Sequence, residues 1–480
     1  MPVSPARAAA FEIVMRIEGT DAYASELLHS SRFEKLSSAD HGLLTELVMG
    51  VLRWRGLLDA KIAEHYGRPS ADRSASRKIP ALVANNATRT GHPSNLSNQS
   101  LAKLDLEVLT ALRLGTYQIL FLDRIPRHAA VNESVELVKS AHKRSAAGLV
   151  NAVLRKIEKA PSDLNVGSAH PDWLVERWAR IYGSDAARRI CEYDQATPKS
   201  AVRVEKPHPS KTAKDGAPSH FRVQPSPVLD ELRDEGIQIE AGKLLSTAFT
   251  VKSGDITATK AFRERRVFIQ DEASQLVALL VGHGQNILDC CAAPGGKTRI
   301  MAERNPGAMV LAMDLHPQRA ALLRKLVPAE NVRVIAADVC KMPLGEDFDR
   351  ILVDAPCSGT GTLARNPEIK WRLKPEDLLR LQEYQIEILR AAMKYVSPRG
   401  RIVYSTCSLE PEENEGVIEK ALADDSSFRE VNCRDELEEL RASGEFIWEG
   451  ADSLVSGPYL RTIPGVHPCD GFFAAVIARE

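Results

Sequence analysis

The second half of the chain alternates short apolar runs with segments of helical spacing, and this alternation restricts the fold more than any other feature. The apolar runs cover residues 286–290, 308–314, 332–338, 350–354 and 401–406. Such alternation is typical of parallel sheets, because the connection between two parallel strands is usually a helix. Nearly continuous apolar strands are buried on both faces. We therefore predict a doubly wound α/β domain with a parallel, Rossmann-like sheet from about residue 266 to the end.

The first 160 residues have the spacing of an all-α domain, with apolar residues recurring every three or four positions. The predicted helices are Ala6–Glu18, Leu43–Tyr66, Leu104–Leu122, Val131–His142 and Ser145–Ala160. Residues 68–100 are rich in Ser, Asn, Pro and Arg, which predicts a flexible insertion. Residues 161–265 mix short helix and strand patterns. We therefore expect three domains: a helical domain at 1–160, a small α/β connecting domain at 161–265 and the larger α/β domain at 266–480.

Composition narrows the class of protein. The net charge is −1, so any nucleic-acid surface must be local. No apolar stretch reaches the roughly 20 residues of a membrane span, and the N-terminus resembles an amphipathic helix, so we expect a cytoplasmic protein without a membrane partner. The eight cysteines form no Cys-x-x-Cys pair, so we expect neither a metal site nor a disulfide framework.

Aspartates end four of the predicted strands: Asp289, Asp314, Asp338 and Asp354. In an open α/β sheet, ligands bind beyond the carboxyl ends of the strands. A single aspartate at such a place could equally cap the next helix. Four in succession favour a ligand site.

The loop after the first of these strands, CAAPGGKT at 291–298, restricts the ligand. A P-loop would need glycine where Cys291 stands, and a dinucleotide site would need Gly-x-Gly-x-x-Gly. S-adenosylmethionine (SAM) has no pyrophosphate and fits better. Its ribose hydroxyls suit Asp314, its adenine amine suits Asp338, and its sulfonium tolerates Asp354. We therefore predict SAM as the cofactor.

Two cysteines, Cys357 and Cys407, lie just beyond two of the predicted strands. In a SAM enzyme, two thiols suit methylation of carbon 5 of cytosine. One thiolate adds to carbon 6 and activates carbon 5, and the other thiol helps to release the product. Asp354 could hold N3 or the exocyclic amine of the base. The residues alone leave open which cysteine attacks, and buried free cysteines are often inert. We expect the other six cysteines to pack, with Cys291 beside the cofactor.

Four blocks of the second half together resemble the RNA cytosine-C5 methyltransferases of the Sun/RsmB family. They are LDCCAAPGGKT at 288–298, VDAPCSGTGT at 353–362, NPEIKW at 366–371 and YSTCSLEPEENE at 404–415. The N-terminal segments 50–54, 114–139 and 148–157 resemble the NusB-like RNA-binding domain of the same family. The resemblance therefore spans nearly the whole chain.

The resemblance implies a role for each matched residue. Cys407 would be the nucleophile, Cys357 would assist product release, and Lys297 would lie near the reacting base. The residues that would bind SAM are Cys291, Ala292, Ala293, Pro294, Gly295, Gly296, Lys297, Asp314, Asp338 and Asp354. The implied substrate is 16S ribosomal RNA at the cytosine usually numbered 967. We expect the enzyme to be a monomer.

Alternatives remain for the RNA substrate and for whether the protein is an enzyme at all. The insertion at 68–100 is longer than the family pattern, and residues 200–250 match it weakly. The same chemistry on another rRNA position or on tRNA stays open, as does an RNA-binding assembly factor with a vestigial site. Basic residues at 139–159 and 263–266, and those around Trp371, are hypotheses for RNA contacts, although any one of them could equally be a solvated or core residue.

Overall fold

The computed structural model describes residues 3–66, 101–158, 169–204, 227–342, 348–423 and 425–480. It divides into two compact units. The helical unit comprises Met1–Gln195 and Ala364–Trp371, and the sheet unit comprises Ala196–Leu363 and Arg372–Glu480. The predicted insertion at 68–100 lies outside the described residues. The three-domain division predicted from the sequence stays a prediction.

The described part of the helical unit is all-α, as predicted. Its helices are α1 (Pro5–Gly19), α2 (Ala24–Leu28), α3 (Ser38–His65), α4 (Leu106–Phe121), α5 (Arg127–Ser140), α6 (Ala147–Leu154), α7 (Asp172–Tyr182) and α8 (Ser184–Gln195). Helix α3 buries Leu44, Leu47, Val48 and Val51, which lie at helical spacing on one face. That face packs into the main apolar core of the unit, to which α1, α4, α5 and α6 also contribute.

The helix predicted at 145–160 ends early, at Leu154. Within the described residues the cause is a side chain from α5. The Arg127 guanidinium donates hydrogen bonds to the carbonyls of Leu154 and Arg155, at 3.5 and 2.6 Å. Carbonyls at a helix end lack partners inside the helix, so this guanidinium satisfies them and closes α6.

The sheet unit contains a small antiparallel sheet and a large mixed sheet. The small sheet has the order β2-β3-β1-β4. Its strands are β1 (Ala201–Val204), β2 (Gln238–Ala241), β3 (Ala248–Ser253) and β4 (Val267–Ile269), accompanied by α9 (Pro227–Asp234) and α10 (Lys260–Arg263). Helix α11 (Glu272–Leu280) follows β4 and begins at Asp271, whose carboxylate accepts the N–H of Ala273.

The large sheet has the order β11-β12-β13-β9-β8-β5-β6-β7, and β10 also pairs with β13. Its strands are β5 (Asn286–Asp289), β6 (Met309–Asp314), β7 (Val332–Ala336), β8 (Phe348–Asp354), β9 (Val396–Thr406), β10 (Phe428–Val431), β11 (Val455–Ser456), β12 (Tyr459–Thr462) and β13 (Phe472–Arg479). The helices between them in sequence are α12 (Gly296–Arg304), α13 (Pro317–Leu326), α14 (Ile369–Arg372), α15 (Pro375–Met393), α16 (Glu415–Leu422) and α17 (Cys433–Ala442). Residues 369–371 of α14 belong to the helical unit.

The prediction of a parallel sheet is correct for β5 to β9 and wrong at the C-terminal edge. Strand β13 runs antiparallel to β9, and β10 and β12 run antiparallel to β13. An apolar run indicates burial but carries no information about strand direction. The fold class is otherwise the expected one, a Rossmann-like α/β sheet.

The strand order creates a crevice between β5 and β8. The chain runs outward from β5 to β6 and β7, and then returns to β8 on the other side of β5. Loops that leave such neighbouring strands in opposite directions open a ligand site at the carboxyl ends of the strands. Asp289, Asp314 and Asp354 end β5, β6 and β8, and Cys407 follows β9 directly. Strand β7 ends at Ala336, so Asp338 lies two residues beyond it.

Candidate functional site

The two predicted cysteines meet at the carboxyl edge of the large sheet. The sulfur atoms of Cys357 and Cys407 lie 3.4 Å apart, although 50 positions separate the residues in sequence. Both residues are partly exposed and neither forms a disulfide. The contact with the Cys407 sulfur, together with burial, raises the pKa of the Cys357 thiol. Cys357 therefore keeps its proton at neutral pH.

Asp354 and Lys297 form an ion pair beside the cysteines. The Lys297 ammonium donates to Oδ2 of Asp354 at 2.7 Å, and the Ser405 hydroxyl donates to Oδ1 at 2.8 Å. Burial lowers the pKa of Lys297, but the charge and hydrogen bond of Asp354 outweigh it, and the net shift is upward. The same ammonium lies over the Phe472 ring, 5.2 Å from the centroid. Lys297 therefore stays charged in a largely buried place.

The loop after β5 turns sharply into helix α12. Gly295 has φ +111°, which a residue with a side chain rarely adopts, and an added Cβ would lie 2.5 Å from Leu323 Cδ1. Its neighbour Gly296 begins α12, so backbone N–H groups of the first helical turn lie at the end of the predicted SAM loop. Burial raises the pKa of Cys290 and Cys291, so both stay thiols.

Asp289 has a role that the sequence analysis left unassigned. Its Oδ2 accepts the Thr298 hydroxyl at 2.7 Å, whereas its Oδ1 has no hydrogen-bond partner among the described residues. Only 1% of its surface is exposed, and burial raises the pKa of Asp289 to about 7. A buried carboxylate oxygen without a partner is costly in a finished core, and it is expected beside a ligand that supplies a donor.

The other two predicted aspartates have different surroundings. Asp314 is buried, with its Oδ1 accepting the N–H of His316 at 2.9 Å and its Oδ2 lying 3.7 Å from the Arg319 guanidinium. Asp338 accepts the N–H of Cys340 at 3.0 Å. Burial raises the pKa of Asp338, but the hydrogen bond from Cys340 and the Lys341 ammonium bring it below the usual value. It is therefore ionised.

Glu413 is a buried residue of the site that sequence reasoning missed. It is fully buried, and its carboxylate accepts hydrogen bonds from Ser358, Ser408 and Gln385. Burial raises the pKa of Glu413, and these hydrogen bonds oppose the rise. The block YSTCSLEPEENE contained the residue, but a run of acids usually indicates a solvated surface.

Two glycines that were also missed bring the C-terminal strand against the cysteine loop. The N–H of Gly361 donates to the Cys407 carbonyl at 2.9 Å, and the N–H of Gly471 donates to the Gly361 carbonyl at 2.8 Å. A Cβ added to Gly361 would lie 2.1 Å from the carbonyl oxygen of Gly471. Glycine is therefore required here for close backbone approach. Of the two, only Gly361 lies in a motif recognised from the sequence, the block VDAPCSGTGT at 353–362.

Some of the residues suggested for RNA contact are engaged inside the protein. Lys370 is only 1% exposed and donates to the Arg53 carbonyl at 3.0 Å, so the hypothesis that it grips phosphate is wrong. The Trp371 indole N–H donates to the Leu52 carbonyl at 2.6 Å. Lys139 and Lys143 form ion pairs with acids of the helical unit. The positive charge of the 139–159 segment is therefore partly neutralised.

Among the described residues, no helix combines the length and the apolar character that crossing a membrane requires. The predicted binding and catalytic roles of the individual site residues remain predictions.

Comparison with known proteins identifies the family. A family model described as 16S rRNA methyltransferase RsmB/F matches residues 276–478, and the NusB family model matches 4–82 and 91–159. The chain is 32% identical over 504 aligned positions to the probable ribosomal RNA small subunit methyltransferase B of Bacillus subtilis, and the match covers 100% of both chains. It is 30% identical to ribosomal RNA small subunit methyltransferase B of Pseudomonas putida, over 90% of this chain and 92% of the relative.

The fold agrees with these matches. The crystal structure of PH0851 superposes with a TM-score of 0.71 at 22% identity, covering 99% of each chain. The resemblance stated from the sequence is thereby confirmed. The chain belongs to the RsmB/F methyltransferase family, with a NusB-like helical region, and is an RNA methyltransferase that uses S-adenosyl-L-methionine.

Proposed function

We propose that the enzyme methylates carbon 5 of a cytosine in 16S rRNA, at the position usually numbered 967, through a covalent bond between Cys407 and carbon 6. The observation that carries this proposal is the 3.4 Å separation of the Cys357 and Cys407 sulfur atoms at the carboxyl edge of the sheet. A single thiol would suffice for attack. A second thiol in contact with it can serve as the base that the release of the product requires.

The residues at the crevice fit SAM. The fit rests on the buried Oδ1 of Asp289, which lacks a partner among the described residues, and on the turn at Gly295. Residues 291–297 would hold the amino-acid part of SAM, with Asp314 on the ribose, Asp338 on the adenine and Asp354 near the sulfonium. When bound, SAM supplies an electrophilic methyl group.

The proposal gives the two thiols different roles, and the raised pKa of Cys357 supports this division. The resemblance to the family makes Cys407 the nucleophile, and Cys357 would remain a thiol during the attack. The Cys407 sulfur would bond to carbon 6, and the electrons of the 5,6 double bond would make carbon 5 nucleophilic. Carbon 5 would then bond to the methyl carbon as the bond between that carbon and the sulfonium sulfur breaks, leaving its electron pair on sulfur. Cys357 would then give up its own proton to solvent, and its thiolate would accept the proton of carbon 5 as the double bond re-forms and the Cys407 thiolate leaves.

Lys297 and Asp354 would orient the base. Asp354 is fixed through both oxygens, by Lys297 and by Ser405, so its carboxylate can face N3 or the exocyclic amine without freedom to rotate. The Lys297 ammonium places positive charge near the Cys407 sulfur. Both contributions are electrostatic and are set before the substrate arrives.

The names of the relatives support rRNA as the substrate, and the NusB-like region supports RNA binding. Action as a monomer in the cytoplasm is part of the same proposal. The target base must leave its stack to reach the thiols, which costs least in a loop.

The proposal is tested with Cys357→Ala and Cys407→Ala, each incubated with SAM and unmodified 16S rRNA and run on a denaturing gel. We expect a slow-moving protein–RNA adduct with Cys357→Ala, because attack proceeds and release fails, and no adduct with Cys407→Ala. An adduct with Cys407→Ala instead would reverse the roles. Methylation of tRNA or 23S rRNA but not of 16S rRNA by the wild type would contradict the substrate.

A further inference from the structure

Glu413 binds the residue that follows each of the two cysteines. Ser358 comes directly after Cys357, and its N–H donates to Oε1 of Glu413 at 2.8 Å while its hydroxyl donates to Oε2. Ser408 comes directly after Cys407, and its hydroxyl donates to the same Oε2 at 2.5 Å. One carboxylate therefore ties together two loops that are 50 residues apart in sequence.

The bridge is reinforced on both sides. The hydroxyls of Ser358 and Ser408 lie 3.1 Å apart, and Gln385 Nε2 donates to Oε1 of Glu413 at 2.9 Å. The backbone of Glu413 is held as well, because the Tyr404 hydroxyl donates to its carbonyl at 2.6 Å. Tyr404 belongs to β9, the strand that leads to Cys407. The carboxylate is thus fixed to the sheet and not to a free loop.

We propose that Glu413 is a positioning residue that holds the Cys357 and Cys407 thiols in contact, so that release follows attack within one turnover. The catalytic consequence rests on the proposed function. The geometric consequence does not, because the distance between the two thiols can be measured without RNA. Glu413 touches neither cysteine side chain through a hydrogen bond and acts through Ser358 and Ser408.

Two substitutions distinguish the effect of the hydrogen bonds of Glu413 from the effect of its negative charge. Glu413→Ala removes the carboxylate that accepts the hydrogen bonds from Ser358, Ser408 and Gln385. Glu413→Gln keeps the shape: its amide oxygen can accept from the Ser358 N–H and from Gln385, and its amide N–H groups can donate to the two serine hydroxyls, which rotate freely. Glu419→Ala is the matched control, because Glu419 is an exposed glutamate on the neighbouring helix α16.

The first measurement is the rate at which Cys357 and Cys407 form a disulfide under limiting diamide. The two thiols lose two electrons and two protons, which reduce the diamide, and one S–S bond forms. Peptide mapping by mass spectrometry quantifies this pair separately from the other cysteines. The rate depends on how often the sulfur atoms approach bonding distance and alignment.

We expect Glu413→Ala to slow formation of this disulfide at least ~10-fold, as for a thiol pair displaced by about 1 Å. Glu413→Gln and Glu419→Ala should stay near the wild-type rate. An unchanged rate in Glu413→Ala would overturn the proposal, and so would an equally slow rate in Glu413→Gln. If Glu413→Ala does not fold, Ser408→Ala provides the test, since it deletes one bond to the carboxylate and should slow the reaction partially; a wild-type rate there would also overturn the proposal.

The second measurement is methylation of 16S rRNA. Glu413→Ala should lower kcat up to about 100-fold with little change in KM for SAM, and Glu413→Gln should restore most of the rate. An equal rise in KM for SAM would indicate general damage to the site and would contradict a positioning role. If wild-type enzyme does not methylate 16S rRNA, the proposed function fails while the disulfide rates still decide the role of Glu413.

Discussion

Lys297 Nζ lies 2.7 Å from Oδ2 of Asp354, and the pair joins the loop after β5 to the end of β8. These are the two strands at which the chain reverses its direction of travel across the sheet. The predicted SAM loop and the predicted base-holding aspartate are therefore linked by one short ion pair. Removing a single partner leaves a charge buried without compensation, which is more damaging than removing both.

Lys297→Met should reduce methylation by about 100-fold or more, because Asp354 loses its fixed orientation and the Cys407 sulfur loses a nearby positive charge. Single-turnover assays with saturating SAM and RNA would measure the chemical step. Lys394→Met, at an exposed lysine after α15, serves as the control. Activity of Lys297→Met within a factor of three of the wild type would contradict the proposed role.

Gly361→Ala should destabilise the sheet unit by roughly 1–3 kcal/mol, because the added methyl group overlaps the Gly471 backbone. The two backbone segments would then have to move apart. Methylation should fall as well, because Gly361 binds the Cys407 carbonyl. Urea unfolding combined with the methylation assay checks both effects. Gly307→Ala is the matched control, as an added Cβ there has no atom within 4 Å. Equal stability of the two variants would refute the steric argument.

Asp289 should make the enzyme lose stability as pH rises from about 4 to about 7. Its pKa is raised to about 7 in the folded chain, so the folded state binds a proton that the unfolded state has released. Asp289→Asn removes this dependence, and its free energy of unfolding relative to the wild type should increase between pH 5 and pH 8 by up to a few kcal/mol. A difference that does not vary with pH would show that Asp289 is ionised throughout.

Lys370 should have the opposite effect in the helical unit. Burial lowers the pKa of Lys370 to about 7, with Asp194 opposing the shift. Between pH 7 and about 10 the unfolded state then binds a proton that the folded state lacks, so stability rises with pH. Lys370→Met should abolish this rise, measured by urea unfolding at several pH values, and the exposed Lys103→Met should not. A rise that persists in Lys370→Met would mean that Lys370 keeps its proton.

The sequence was sufficient to predict the position of those site residues that stand in a recognisable local pattern. Asp354 and Cys407 follow apolar strands, so their place at the carboxyl edge of the sheet follows from strand geometry. Contacts between segments that are distant in sequence could not be predicted in this way. The direction of β13 depends on which strand it pairs with, and the burial of Glu413 depends on two serines that only the fold brings together. Acidity alone made Glu413 resemble a surface residue.

The segment Ala364–Trp371 belongs to the helical unit, although the residues on both sides of it belong to the sheet unit. The chain therefore passes into the helical unit and back only a few residues after Cys357. A gene cut once near residue 195 would yield two fragments, and the C-terminal one would carry these eight residues without the helices that surround them. The coding sequence of the helical unit is therefore not continuous. Exchanging the helical unit for another one would also require residues 364–371 to be replaced.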